Sequence, residues 1–288
     1  MNERSRLPGT PAPTRTFRNA QGMALAADAW GPVDGPQVLL LHGGGQNRHS
    51  WRGTGALLGN AGYHAVALDA RGHGDSDWSP DGDYEQDAFV ADLAAVVAAL
   101  GERRPALMGA SLGGINALIA VGEGNVEASA LVLVDIAPRT EQAGSARVKA
   151  FLETNTRGFA SLDEVADAVA AYRPGTKRGS TAGLAKNVRL GADGRYYWHW
   201  DPRFLEGRDR DIATRYARLV PAARALTIPA LIVRGASSDV VSEEAVQEFL
   251  ALCPHAEYLN VLDAGHMITG DTNDRFGQAT LAFLARAH

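Results

Sequence analysis

The sequence has little cysteine, no long apolar run and only a small excess of one charge. Its single cysteine, Cys253, cannot form an internal disulfide, so we expect no disulfide framework. No apolar run approaches the roughly 18 residues of a membrane-spanning helix, which argues against a membrane partner. The net charge of −5 argues against nucleic acid as the main partner. A hydrophobic fraction of 45% is typical of a soluble globular protein, and we expect a cytoplasmic one.

The start of the chain also lacks an apolar segment of the kind that secretory signals contain. Residues 1–17 include Arg4, Arg6 and several prolines, but no apolar run follows the basic residues. We therefore predict that these residues are not a secretory signal. Their composition indicates a flexible, solvated tail.

Short apolar runs alternate with helical patterns along most of the remaining chain. Runs that are apolar at every position suit strands buried on both faces, as in a parallel sheet. The predicted strands are Val38–Leu41, Ala65–Leu68, Pro105–Met108, Ala130–Val134, Ala230–Val233 and Glu257–Leu262. Helical patterns between these strands imply βαβ crossovers, so the sequence predicts an α/β fold with a doubly wound, mostly parallel sheet.

The alternation stops at Pro138 and resumes only after residue 225. Helical patterns dominate this interval, at 146–155, 161–172, 181–190 and 209–219, with an aromatic patch at 195–200. We therefore expect a core formed by residues 18–137 and 226–288, with residues 138–225 inserted as a helical cap. An insertion at the carboxyl ends of the strands would cover the edge where such sheets bind ligands.

Ser111 lies in a Gly-x-Ser-x-Gly motif between a predicted strand and a predicted helix. A serine at such a sharp turn is held in a strained conformation, and its close neighbours must be small. Gly109 and Gly113 satisfy this requirement. The turn lifts the hydroxyl above the sheet, so we predict that Ser111 is a nucleophile.

A nucleophilic serine needs a base, and the base needs an orienting acid. His266 follows the last predicted strand, and Asp239 follows the strand before it. Both should therefore lie at the same edge of the sheet as Ser111, and we predict them as base and acid. Asp135 ends the fourth predicted strand and remains an alternative acid.

The segment His42–Gly45 follows the first buried strand and contains three consecutive glycines. Backbone N–H groups in such a loop approach a ligand closely, and acyl transfer needs donors for the developing oxyanion. We predict the N–H groups of Gly44 and Leu112 as that pair. The loop also resembles a dinucleotide-binding turn, but Arg48 stands where the last glycine of Gly-x-Gly-x-x-Gly is required.

The residues that would contact a substrate are expected near the loop and in the cap. Aromatic side chains of the cap offer an apolar wall, which is typical of small-molecule sites. The alternative, that these side chains pack the interior of the cap, stays open. The predicted substrate-binding residues are Gly43, Trp198, His199, Trp200 and Met267.

Together these motifs resemble the α/β-hydrolase family. The resemblance is carried by His42–Gly45, Asp69–Ser76, the turn at Ser111 and Gly265-His266. It implies the α/β-hydrolase fold and a carboxylesterase-like serine enzyme that acts on a small-molecule ester without a metal or other cofactor. Ser111 argues against epoxide hydrolases, which use a carboxylate nucleophile. Lactonases, carbon–carbon bond hydrolases, cofactor-free peroxidases and ligand receptors of this fold remain alternatives.

Overall fold

The computed structural model describes residues 5–101, 104–172, 181–206, 212–262, 264–265 and 274–287. The strands in these ranges are β1 (Ser5–Arg6), β2 (Arg15–Arg18), β3 (Ala24–Trp30), β4 (Gln37–Leu41), β5 (His64–Leu68), β6 (Ala106–Ala110), β7 (Ala130–Val134), β8 (Val188–Leu190), β9 (Tyr196–Trp198), β10 (Ala230–Gly235) and β11 (Glu257–Val261). The α-helices are α1 (Arg52–Asn60), α2 (Gln86–Leu100), α3 (Leu112–Gly122), α4 (Gln142–Leu152), α5 (Leu162–Tyr172), α6 (Thr181–Leu184), α7 (Ile212–Arg224), α8 (Glu243–Leu252) and α9 (Asp274–Ala287).

Within the described ranges, eight strands form one sheet in the order β11-β10-β7-β6-β4-β5-β3-β2. Neighbouring strands from β11 to β5 pair in parallel, and β3 and β2 complete the sheet with antiparallel pairings. The predicted doubly wound, mostly parallel sheet is confirmed. Every residue of the central strands β4, β5, β6 and β7 is buried, which explains why their sequences are apolar without alternation.

Helices on both faces of this sheet enclose two apolar cores. Side chains alternate along each strand, so Leu39 belongs to one core and Leu40 to the other. Leu118 of α3 packs on the first face, and Phe276 of α9 packs on the second. None of the helices in the described residues is long and apolar enough to cross a bilayer.

The amino-terminal residues differ from the flexible tail that the sequence predicts for 1–17. β2 pairs along its whole length with β3, and Phe17 at its centre is buried in the first core. Ser5 and Arg6 pair with β8 in a second sheet of order β1-β8-β9. Backbone hydrogen bonds in both sheets thus pair residues for which the sequence, with few apolar side chains, predicts only a tail.

The interval 138–225, which the sequence predicts as a helical cap and which we call the cap below, also differs from that prediction. β8 and β9 form an antiparallel hairpin where the sequence predicts a helix that reaches residue 190, followed by an aromatic patch. The turn between them contains Asp193-Gly194, and Gly194 has a φ of +77°, which suits glycine in a tight turn. Aromatic residues in β9 favour a strand because they pack well on a pleated surface.

The last predicted cap helix belongs to the core by its packing. Leu219 of α7 lies in the core on the first sheet face, and a β-carbon on Gly122 of α3 would lie 2.4 Å from the Ala222 carbonyl oxygen. The two helices therefore approach each other at backbone distance. By its packing, α7 belongs with the core, whereas the sequence predicts a cap that extends to residue 225.

Candidate active site

Ser111 occupies the sharp turn between β6 and α3, with φ 45° and ψ −112°. This left-handed backbone is unusual for a residue with a side chain and is a form of strain found at functional sites. A β-carbon on Gly109 would lie 2.5 Å from the Gly113 carbonyl, and one on Gly113 would lie 2.4 Å from the Leu41 carbonyl oxygen. The turn therefore closes only because both flanking positions are glycine.

The loop after β4 and the start of α3 bring the two predicted oxyanion donors to the same side of the sheet. The Gly43 N–H donates to Gln46 Oε1, and the Gly45 N–H donates to His73 Nε2. By contrast, the N–H groups of Gly44 and Leu112 have no acceptor among the residues that the structure describes. A backbone N–H left without a partner at a partly buried position is ready to bind an anion or a polarised carbonyl.

Three buried histidines lie beneath this loop and fix its path. The His42 Nδ1–H donates to the Gly43 carbonyl at 2.8 Å, and the His73 ring approaches the His42 ring with centroids 5.2 Å apart. The third, His199 of the cap, is 1% exposed and accepts the Gly74 N–H at Nδ1. His42 and His73 therefore each hold this loop through a hydrogen bond to its backbone.

The protonation of these rings gives a prediction for the pH dependence of stability. Burial lowers the pKa of His42 and, aided by nearby Arg189, lowers that of His199 well below its ordinary value. A histidine whose pKa is lowered in the folded state adds stability above its unfolded pKa, and that stability is lost as the pH falls below it. Stability should therefore decline between pH 7.5 and 5.5, because the unfolded histidine gains a proton there that the buried ring resists.

We therefore expect the His199→Asn variant, whose amide oxygen replaces the acceptor Nδ1, to lose less stability than the wild type over this pH interval. The free energy of unfolding should be measured by denaturant titration at both pH values. Val33→Ala, at an exposed position without a titrating group, is the control and should keep the wild-type pH dependence. An unchanged pH dependence in His199→Asn would contradict the assignment of a neutral ring.

A cavity of about 250 Å³ opens above Ser111, between the loop after β4 and the cap. Its apolar wall consists of Val148, Phe151, Leu152, Val169, Leu184, Trp198 and Trp200, and Tyr172 adds a further aromatic ring. The ring planes of Trp198 and Trp200 stack with centroids 4.9 Å apart. Leu112, directly after the serine, belongs to the same apolar cluster as these cap residues, so the cap lies directly over the turn.

The predicted substrate-binding residues separate into three groups. Gly43, Trp198 and Trp200 line the cavity. His199 is a correction: it is not among the described residues that line the cavity, and its buried ring accepts the Gly74 N–H at Nδ1 and packs edge-on against the Trp200 ring, with centroids 5.3 Å apart. Met267 and the predicted base His266 lie outside the described residues.

Asp135 directly follows β7, next to the strand that carries Ser111, and is 1% exposed. The Ser111 N–H donates to the Val134 carbonyl, so the two strand ends are adjacent. The Asp135 carboxylate accepts a hydrogen bond from the Gly235 N–H at 3.2 Å and another from the Ser238 hydroxyl at 2.6 Å. Asp135 also has a positive φ of 50°, so a second strained residue stands at this edge of the sheet.

Asp239, the predicted acid, lies in the loop after β10 and has a different environment. Its side chain is 32% exposed and pairs with Arg147 of α4 at 2.6 Å. A β-carbon on Gly144 would lie 2.1 Å from the Asp239 carbonyl oxygen, so α4 packs against this loop. Asp239 therefore joins core and cap through an ion pair, whereas Asp135 is enclosed within the core.

The chain approaches His266 along the same edge. The Ser237 N–H donates to the Ala264 carbonyl, and a β-carbon on Gly235 would lie 2.3 Å from the Gly265 carbonyl oxygen. Gly265 is thus in contact with Gly235, whose N–H binds the Asp135 carboxylate. The described residues place the segment before His266 at the carboxyl end of β10, near both candidate acids.

The polar wall of the cavity was not predicted from the sequence. It consists of Gln46, Asn47, His49, Ser50, Lys186 and Asn187. Asn47 joins its two parts, because its Nδ2 donates to the Lys186 carbonyl at 3.0 Å. The only sequence signal was the polar run that follows His42–Gly45, and nothing in it indicates a partner 139 residues further along the chain.

A parallel sheet with a strained serine between strand and helix is the arrangement of the α/β-hydrolase class. The family model described as alpha/beta hydrolase fold matches residues 36–271. The chain therefore belongs to the α/β-hydrolase family.

Relatives of nearly full length are similar to this chain. An esterase of Mycobacterium tuberculosis is 29% identical, over 94% of this chain and 90% of its own length. Its crystal structure has a TM-score of 0.72, at 28% identity over 96% of this chain and 93% of that one. A 3-hydroxybutyrate-oligomer hydrolase of Cupriavidus necator is 29% identical over 85% of this chain and 87% of its own.

The 2-(acetamidomethylene)succinate hydrolase of Mesorhizobium japonicum is also 29% identical, over 81% of this chain and 82% of its own. A crystal structure of E-2-(acetamidomethylene)succinate hydrolase has a TM-score of 0.81, at 24% identity over 94% of this chain and 98% of that one. This last structural likeness shows the shared fold.

Proposed function

We propose that this protein is a serine hydrolase that cleaves a small, fairly hydrophobic carboxylic ester through an acyl-enzyme. One observation carries the proposal: Ser111 lines a cavity beside two N–H groups, of Gly44 and Leu112, that have no acceptor among the described residues. A nucleophile next to two unoccupied donors suits attack on a carbonyl carbon, because negative charge then develops on the carbonyl oxygen. The similarity to an esterase supports the same reaction.

In the proposed mechanism, His266 removes the proton from the Ser111 hydroxyl as its oxygen attacks the ester carbonyl. The N–H groups of Gly44 and Leu112 stabilise the oxyanion of the tetrahedral intermediate. His266 then returns the proton to the departing alcohol, leaving an acyl group on the serine. Water activated by the same histidine hydrolyses this acyl-enzyme and releases the acid.

For the orienting acid, the contacts favour Asp135 over Asp239. An acid that holds a histidine in one orientation must itself be fixed and shielded from water. Asp135 is buried and receives two hydrogen bonds, one of them from the Ser238 hydroxyl. Asp239 is partly exposed and already paired with Arg147. We therefore propose Asp135 as the orienting acid, in place of Asp239, which the sequence predicts.

The apolar wall supports a hydrophobic part in the substrate, and the size of the cavity supports a short one. At about 250 Å³, the cavity is somewhat smaller than the roughly 300–1,000 Å³ typical of drug-sized ligands. Stacked Trp198 and Trp200 offer a flat surface for an alkyl or planar group.

A panel of substrates tests the reaction class. Short-chain alkyl and 4-nitrophenyl esters should be compared with lactones and with vinylogous 1,5-diketones, in steady-state assays at equal enzyme concentration. We expect continuous turnover and the highest kcat/KM among the esters. Higher kcat/KM for the diketones or the lactones would replace the ester assignment. A single stoichiometric release of product without further turnover would instead indicate a ligand receptor.

A further inference from the structure

The polar wall of the cavity carries an isolated positive charge. Of the described residues that line the cavity, Lys186 is the one lysine or arginine, and no aspartate or glutamate accompanies it. No acidic group lies within 4.0 Å of its ammonium in the described part of the chain. A cation facing a partly enclosed space without a counter-ion is a binding position for an anion.

Arg48 provides a comparison, because its positive charge is neutralised by carboxylates of the chain. Its guanidinium is 0% exposed and contacts the carboxylates of Asp28, Asp69 and Asp75 at 3.0, 2.6 and 2.8 Å. The guanidinium of Arg48 is therefore paired with carboxylates of the chain itself and is not available to bind a ligand. Lys186 lines the cavity instead, and no carboxylate of the described residues lies within 4.0 Å of its ammonium.

The segment that carries Lys186 is held in place before any ligand binds. Asn47, 2% exposed, donates from Nδ2 to the Lys186 carbonyl at 3.0 Å. On the other side, the His199 N–H donates to the Asn187 carbonyl at 3.2 Å. These bonds fix the backbone between the loop after β4 and the cap, so less ordering is needed when a ligand binds.

The other ionisable groups on this wall do not supply a competing negative charge. Burial, followed by the charge of Arg48, lowers the pKa of His49, so its ring is neutral at pH 7. Asn187 and Ser50 are uncharged. A carboxylate placed here would thus meet one ammonium with neutral polar groups around it, while the rest of the ligand contacts the apolar wall.

We propose that the cavity takes esters that carry a free carboxylate, with Lys186 as the residue that selects it. The inference rests on the proposed ester hydrolysis and adds the substrate class: short esters with one anionic end, such as monoesters of dicarboxylic acids or esters of hydroxy acids. A charge-assisted hydrogen bond formed in a partly enclosed site is strong enough to discriminate between charged and neutral substrates by about ten- to hundredfold.

Two pairs of substrates test this, and each pair replaces a carboxylate by the primary amide of nearly equal size. Monoethyl glutarate and ethyl 4-carbamoylbutanoate place the group on the acyl side of the ester. 3-Acetoxybutyrate and 3-acetoxybutyramide place it on the alcohol side. We expect kcat/KM to favour the carboxylate at least about tenfold in one pair, which also shows on which side Lys186 acts.

Three variants test whether Lys186 causes the preference for the carboxylate substrate. Lys186→Met should abolish the preference for the carboxylate, and Lys186→Arg should keep most of it because the charge remains. Lys149→Met is the matched control: Lys149 lies on α4, pairs with Glu153 at 3.8 Å and does not line the cavity, so this variant should behave as the wild type. Melting temperatures would show whether each variant is folded.

These experiments distinguish a failure of the proposed role of Lys186 from a failure of the proposed ester hydrolysis. Ser111-dependent turnover without a carboxylate preference, or a preference that survives in Lys186→Met, overturns the role of Lys186 alone. A lack of Ser111-dependent turnover with every ester overturns the proposed function. Calorimetric binding of monoethyl glutarate to the Ser111→Ala variant, with and without Lys186→Met, then still measures the anion site. Equal affinities would overturn that site as well.

Discussion

Ser111→Ala should lower kcat for ester hydrolysis by at least about 10⁴-fold while the protein remains folded. The physical reason is that the mutation removes the attacking oxygen and leaves the donors of Gly44 and Leu112 in place. Residual activity would then come from the oxyanion site and substrate binding alone. Steady-state assays with 4-nitrophenyl esters measure the loss, after subtraction of the rate without enzyme.

A second serine in the same cavity provides the control. Ser50 also lines the cavity, and its hydroxyl donates to the Asn47 carbonyl at 2.8 Å. Ser50→Ala should change kcat by less than about tenfold, since a neutral hydrogen bond contributes only about 1 kcal/mol. If Ser111→Ala retained turnover and Ser50→Ala abolished it, the proposed nucleophile would be wrong.

The central sheet could be predicted because its sequence signal is local. β4, β5, β6 and β7 are buried at every position, so each appears in the sequence as a continuous apolar run. β3 gives no such signal: alanines make up most of Ala24–Trp30, and Asp28 interrupts them. Alanine favours helices in isolation, and pairing with β2 and β5 overrides that preference.

The turn at Ser111 was also predictable, because its geometry depends on close neighbours in the chain. The glycines at 109 and 113 are required by contacts within a few residues and with the end of β4. The position of His199 is not local in this sense, because its hydrogen-bond partner, the Gly74 N–H, lies 125 residues earlier in the chain.

Other parts of the site depend on contacts that no local pattern records. Asn47 and Lys186 meet across the interface between core and cap, and neither lies in a motif. The choice between Asp135 and Asp239 is of the same kind. Both follow strands, and they are distinguished by the burial and hydrogen bonds of Asp135 and by the exposed ion pair of Asp239.

This choice leads to the second large effect that we expect: Asp135→Asn should lower kcat by about 10⁴-fold, and Asp239→Asn by less than about tenfold. An asparagine at 135 keeps the size of the side chain but removes the negative charge that stabilises a protonated histidine. It also offers an N–H where the Ser238 hydroxyl now donates to an oxygen. At 239, the same substitution removes a partly exposed ion pair with Arg147, and such pairs contribute little.

The pH dependence of kcat/KM, together with a supporting variant, separates an orienting role from a loss of folding. Ser238→Ala removes one hydrogen bond to Asp135 and should give a smaller loss of kcat than Asp135→Asn, because the carboxylate itself remains. In Asp135→Asn, the pKa that governs kcat/KM should fall, since the base loses a neighbouring negative charge. Melting temperatures near that of the wild type would exclude unfolding as the cause. The reverse pattern would be a large loss of kcat and a lower pKa of kcat/KM in Asp239→Asn alone. It would assign the orienting role to Asp239, because only a carboxylate close to the histidine ring raises the pKa of that ring.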